Sequence, residues 1–232
     1  MKKITSIFFD AGGTLFAPSP SVGKIYARIS GKYGAKPNPE TLEEEFELAW
    51  RRRGGLASLG TETNEEKERN WWESLVREVF ASSGGVPDFD GFFSELHKSF
   101  VHQELWQIYP EVLETLASLR SEKIVMGIVS NWDLRLPIVI GNLGLTNHFD
   151  FILGSSAVGA TKPSPKIFKE ALRLSGSNPH ETIHVGDTYH EDFVGAHGVG
   201  IQAVHLDRKG IANHVPSEHR IQSLDEIKRW VI

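Results

Sequence analysis

The 232-residue chain has no cysteine. Disulfides, thiolate metal sites and thiol nucleophiles are therefore excluded, and a reducing compartment fits. A basic face is also missing: 25 Lys and Arg stand against 30 Asp and Glu, for a formal charge of −5, and only Arg51-Arg52-Arg53 clusters. Nothing here neutralises a run of phosphates, so nucleic acid is not an expected partner. No apolar stretch approaches the roughly 20 residues that span a bilayer, and the N-terminus lacks a charged segment followed by an apolar one. The expectation is a cytoplasmic protein without membrane contact, monomeric or homodimeric. With 40% apolar and 24% charged residues, the chain can bury a sizeable core in one large domain or two small ones.

Apolar runs of strand length recur at 4–10, 124–130, 149–154, 182–186 and 201–206, separated by helical patterns. That alternation predicts a doubly wound, Rossmann-like α/β fold, a parallel sheet with helices on both faces. Pro110 is read as opening a helix that buries Val112, Leu113, Leu116 and Leu119, and Ser223 with Glu226 as a capping box for the last helix. The interval between the first two strands exceeds a hundred residues, too long for a simple crossover. Within it, helical faces are formed by Leu42, Phe46, Ala49 and Trp50, by Trp72, Leu75, Val76, Val79 and Phe80, and by Phe89, Phe92, Phe93, Leu96 and Phe100. Gly54-Gly55 and Ser83-Gly84-Gly85 break these helices. Residues 18–106 are thus expected to form a helical cap domain inserted into an α/β core made of 1–17 and 107–232.

Polar residues punctuate the ends of the runs. Asp10 follows Ile7-Phe8-Phe9 and opens the glycine-rich turn Asp10-Ala11-Gly12-Gly13-Thr14, at the edge where doubly wound sheets bind their ligands. Ser130-Asn131 ends the second run, Lys162-Pro163 opens a helical pattern, and Gly186-Asp187 with Asp192 ends the fourth run. Each has a bland reading. Asp10 caps a turn, Ser130 is an N-cap before Trp132-Asp133-Leu134, and Lys162 is a solvated residue before proline. Asp187 and Asp192 are an N-cap and a polar helix face, which leaves the glycine before Asp187 unexplained.

Taken in order, the four signals resemble the motifs of the haloacid dehalogenase superfamily of hydrolases, and the resemblance spans the chain. It implies Asp10 as nucleophile, forming an aspartyl-phosphate, and Lys162 as the cation that neutralises it. It further implies Gly12, Thr14, Ser130 and Asn131 as donors to a small phosphorylated substrate, and Mg²⁺ held by Asp10, the Gly12 carbonyl, Asp187 and Asp192. Glu191 is a possible substitute for Asp192. The aromatic and arginine residues Trp71, Trp72 and Arg51 to Arg53 are candidates for substrate contact from the cap, with core tryptophans and a solvated helix end the preferred reading.

One position departs from the family pattern. Phosphatases of this superfamily carry a second Asp, the general acid and base, where this chain has Gly12. Such catalysis typically contributes about 10² to 10⁴ in rate, and the loss falls hardest on poor leaving groups. His190 or a residue of the cap is a candidate replacement. Dehalogenases of the superfamily also lack that Asp and displace halide without metal, but they carry an aromatic residue at the Gly12 position and a Ser/Asn-rich last motif. The preferred reading is a Mg²⁺-dependent phosphatase; the alternatives are a metal-free 2-haloacid dehalogenase-like hydrolase and a non-catalytic phosphate-ligand binder.

Overall fold

A computed structural model describes residues 3–231. Six parallel strands form the main sheet: β1 (Ser6–Phe9), β4 (Val125–Ser130), β5 (Phe151–Gly154), β6 (Thr182–Gly186), β7 (Gln202–Leu206) and β8 (Arg220–Ile221), in the order β5-β4-β1-β6-β7-β8. All four residues of β1 and all five of β6 are buried, because helices cover both faces and leave no polar alternation. Ile7 and Phe9 face one core with Ile128 and Val185, while Phe8 faces the other with Val129 and Phe168. Phe9 pairs with both Ile128 and Val185. That register brings the carboxyl ends of β1, β4 and β6 level, so Asp10, Ser130 and Asp187 emerge at one edge.

A second, two-stranded antiparallel sheet joins β2 (Phe16–Pro18) to β3 (Trp106–Ile108). The chain leaves along β2 and returns along β3. Between them run α1 (Val22–Ser30), α2 (Pro39–Arg53), α3 (Glu65–Val79) and α4 (Phe89–Ser99). They bury a core of their own in which Ile25, Leu42, Leu75, Val79, Phe80 and Phe92 are fully enclosed. Asn38, Asn64 and Asp88 cap three of these helices through their side chains, and the left-handed Gly54 ends α2.

The remaining helices are α5 (Val112–Ser121), α6 (Leu136–Asn142), α7 (Ser155–Val158), α8 (Pro165–Ser175) and α9 (Gly195–His197). Three readings from sequence need correction. Leu113 is 48% exposed, and Thr115 takes its place on the buried face of α5. Lys162-Pro163 does not open a helix: Ser164 caps α8 and Pro165 holds its first turn. No helix follows Ser130 directly, since α6 begins at Leu136. The Ser223–Glu226 capping box is present, on a 3₁₀ segment, Leu224–Trp230.

The helical insert is tied to the sheet by a buried carboxylate. Glu68 on α3 is fully enclosed, and its Oε1 accepts from Ser155 Oγ at 2.7 Å and Thr63 Oγ1 at 3.0 Å. Glu68→Ala would leave two buried hydroxyls without this partner, so we expect a loss of about 1–3 kcal/mol. That is a thermal midpoint lower by roughly 2–10 °C. An unchanged midpoint would show that the link carries no stability.

Candidate active site

The turn after β1 presents Asp10 to three partners. Its Oδ1 accepts from Ser130 Oγ at 2.9 Å and from Lys162 Nζ at 2.6 Å, while Oδ2 has only the Thr14 hydroxyl at 3.5 Å. Lys162, 1% exposed, also donates to Asp192 Oδ1 at 2.5 Å. Asp192 is then fully occupied: His184 Nε2 lies 2.9 Å from Oδ1, and the Thr188 amide donates to Oδ2 at 3.0 Å. Asp187 differs. It is exposed toward the cleft, with the Thr14 hydroxyl 3.4 Å from its Oδ1. One oxygen each from Asp10, Asp187 and Asp192 lies within 4.8 Å of the others.

Three carboxylates therefore converge on one ammonium. Burial raises the pKa of Asp10, against the pull of Lys162. Although Asp187 opens to the cleft, the protein packed around it still strips water from its carboxyl, and with the charges of Asp10 and Asp192 this pushes it up to about 8. Burial works the same way on Asp192, but Lys162 and His184 outweigh it and hold that carboxylate below its usual range. Burial lowers Lys162, yet Asp10 and Asp192 prevail and keep it charged. Burial lowers the pKa of His184, against the pull of Asp192. Hard oxygen donors with uncompensated charge, one of them open to the cleft, suit a cation such as Mg²⁺.

The sign of the Asp187 shift gives a prediction. Its folded pKa, about 8, lies above the ordinary 3.8, so between those values the folded chain holds the proton more tightly than the unfolded chain. Stability from this group is present below about pH 4 and is lost as pH rises toward 8. A divalent cation held by these carboxylates would reverse that loss. At a hundredfold excess over Kd, Mg²⁺ should raise the midpoint by roughly 5–10 °C near pH 8 and by much less near pH 5. An equal rise at both would contradict a cation held by these carboxylates.

The glycines follow from the same crowding. Gly13 has φ +82°, and a Cβ there would lie 2.4 Å from Asp187 Oδ2. A Cβ on Gly186 would meet Asp192 Cγ at 2.2 Å, which supplies the reason for the glycine before Asp187. Gly12 is not in the left-handed region; a Cβ there would sit 3.3 Å from Trp132 Cζ3. Trp132 thus stands beside the position of the missing Asp.

Other residues singled out in the sequence fall as follows. Thr14 is fully buried beneath the carboxylates. Asn131 lines the cleft, but its amide clamps the Lys162 segment: Oδ1 accepts from Lys162 N at 2.6 Å, and Nδ2 donates to Lys162 O at 3.0 Å and Glu191 Oε2 at 2.6 Å. Glu191 is thereby turned to Asn131, and is not one of the three clustered carboxylates. Burial pushes it up to about 7. His190 is exposed and does not line the cleft. Arg51 pairs with Glu47, and Arg52 and Arg53 with Glu78, as a helix end would. Two residues escaped the sequence reading. Trp132 is one, and Arg208 the other; it donates to the Gly13 and Thr14 carbonyls at 3.1 and 2.8 Å while stacked 3.6 Å over Tyr109. Its position just past the β7 carboxyl end was the available signal.

Above the carboxylates lies a chamber of about 340 Å³, walled by α1 to α4 on one side and Trp132 and Arg135 on the other.

The family model for haloacid dehalogenase-like hydrolases matches residues 4–200. The haloacid dehalogenase-like hydrolase domain-containing protein 3 of Danio rerio is 33% identical over 227 residues, covering 95% of this chain and 93% of its own. Among solved structures, a HAD phosphatase from Thermococcus onnurineus has a TM-score of 0.69 at 24% identity, with 97% of each chain covered. An L-2-haloacid dehalogenase from Xanthobacter autotrophicus has a TM-score of 0.73 at 20% identity, with 98% of each chain covered. These last two likenesses concern the fold alone.

Proposed function

The chain belongs to the haloacid dehalogenase-like hydrolase family, and from that premise we propose that it is a Mg²⁺-dependent phosphatase of small phosphorylated metabolites, working through an aspartyl-phosphate on Asp10. The observation that carries this reading is the imbalance of charge: Asp10 and Asp192 share the ammonium of Lys162, and Asp187 beside them has no ion-pair partner among the described residues. In the site, Asp10, Asp187 and the Gly12 carbonyl would hold the ion, with Asp192 completing the acidic set from behind. Bound there, Mg²⁺ would offset the negative charge and polarise the phosphoryl oxygens.

The remaining chemistry belongs to the side chains. Lys162 and Ser130 fix one Asp10 oxygen, which leaves the carboxylate aimed at the cleft. Asp10 attacks phosphorus, the bond from phosphorus to the ester oxygen breaks, and that oxygen leaves with the electron pair. Gly12 offers it no proton. Water then attacks phosphorus of the aspartyl-phosphate and returns the Asp10 carboxylate and inorganic phosphate. Residues 18–106 act as a cap that closes over the site and excludes bulk water.

One observation favours a second reading, metal-free displacement of halide from carbon. The Trp132 ring covers Gly12 much as an aromatic side chain at that position would. That chemistry, however, leaves Asp187 without a counter-charge. The two readings separate in one assay: hydrolysis of an activated phosphate ester should be lost in chelator and restored by Mg²⁺. Undiminished rates in chelator, or release of halide from a 2-haloacid under those conditions, would overturn the phosphatase reading.

A further inference from the structure

The chamber above Asp10 has walls of one chemical character. Phe46 and Trp50 stack at 5.9 Å between centroids, Trp72 lies 5.6 Å from Trp50, and Trp106 lies 5.4 Å from Trp132. Leu56, Val76, Phe93 and Leu96 fill the spaces between them. Polar groups away from the carboxylates are few. Arg135 is held by both oxygens of Asp133, and its charge is spent there. His97 Nε2 has no hydrogen-bond partner among the described residues and lies 3.7 Å from Asp133 Oδ2. Beyond His97 and the rim of the carboxylates, a polyhydroxylated ligand would give up its water for few new hydrogen bonds. An arene would meet ring faces and edges on several sides. A volume of about 340 Å³ is roughly twice the ~150 Å³ apolar cavity that accepts benzene, which leaves room for a bicyclic ring beside a phosphoryl group.

The rim points the same way. Trp132 belongs to the chamber wall and stands against Gly12, so the ring that receives an aromatic group also borders the place from which an acid would protonate the leaving oxygen. A phenolic oxygen departs as a stabilised anion and needs no such proton. We propose that the substrate is the phosphate monoester of an aromatic alcohol, a phenol or naphthol-like ring seated between the α2–α3 tryptophans and Trp132, with its phosphoryl group on Asp10. This rests on the phosphatase reading and adds the identity of the leaving group.

Calorimetric titration of the Mg²⁺-loaded protein with three probes tests it: phenylphosphonate, methylphosphonate, and 1-naphthol, which carries no phosphorus. Phenylphosphonate should bind at least about tenfold more tightly than methylphosphonate, and 1-naphthol should bind on its own. Phe46→Ala should shrink the phenyl advantage by roughly two- to tenfold. Equal binding of the two phosphonates, or no binding of 1-naphthol, overturns the aromatic assignment while leaving a phosphate site intact. Binding of 1-naphthol with neither phosphonate bound leaves the chamber's preference standing and overturns the phosphatase reading, and with it the ester.

Discussion

Asp10→Asn is expected to lower turnover of an activated phosphate ester by more than about 10³-fold, because the amide keeps nearly the same shape but has no nucleophilic oxygen. The fold should not suffer. The asparagine carbonyl still accepts from Ser130 and Lys162, which donate to Asp10 Oδ1 at 2.9 and 2.6 Å, and one of three crowded carboxylates becomes neutral. Without divalent cation the variant's thermal midpoint should therefore equal or exceed that of the wild type, a trade of stability for activity familiar at strained sites. Activity above about a tenth of wild type would show that another group attacks. A sharply lower midpoint would show that Asp10 has a structural role which the crowding of charge does not suggest.

The second large effect concerns the leaving group. With Gly12 in place of an acid, kcat/KM, which reports departure of the leaving group, should rise steeply with leaving-group acidity. Nitrophenyl and acyl phosphates should be turned over, and alkyl phosphates should be slower by about 10² to 10⁴ beyond their intrinsic difference. Gly12→Asp alone is a poor test of this, since its Cβ would press on Trp132 at 3.3 Å. Paired with Trp132→Ala, the new carboxylate has space, and the double variant should raise kcat/KM for alkyl phosphates by up to about 10² to 10⁴ while kcat/KM for aryl phosphates changes little. Trp132→Ala alone controls for the widened cleft. An unchanged slope in a folded double variant would mean that another residue already donates the proton.

How much of this was legible beforehand varied with the physics of each element. β1, β4 and β6 are covered on both faces, so they read as unbroken apolar runs, and their shared direction followed from the helices between them. β2 and β3, three residues each, and β8, two residues, are defined by their pairing and leave no local pattern to read. α5 buries the narrow face of Val112, Thr115, Leu116 and Leu119, and Leu113 falls just outside it. Two prolines stand two residues apart, and Pro165, not Pro163, starts α8. In the site, Asp10, Ser130, Lys162, Asp187 and Asp192 announced themselves by standing where apolar runs end. Trp132 and Arg208 did not. Their positions matter only through contacts with Gly12, Gly13 and Thr14, more than a hundred residues away along the chain.

Gly12 also lacks the base that would activate water, so the second step should be slow and the aspartyl-phosphate should accumulate. Mass spectrometry of the peptide carrying Asp10, after acid quench of the Mg²⁺-loaded protein with an aryl phosphate in ¹⁸O-water, reads this directly. The account predicts one phosphoryl group on Asp10, absent in chelator and in Asp10→Asn, with the heavy oxygen appearing in released phosphate. Product formation with an unmodified peptide, or heavy oxygen entering the Asp10 carboxylate itself, would contradict it.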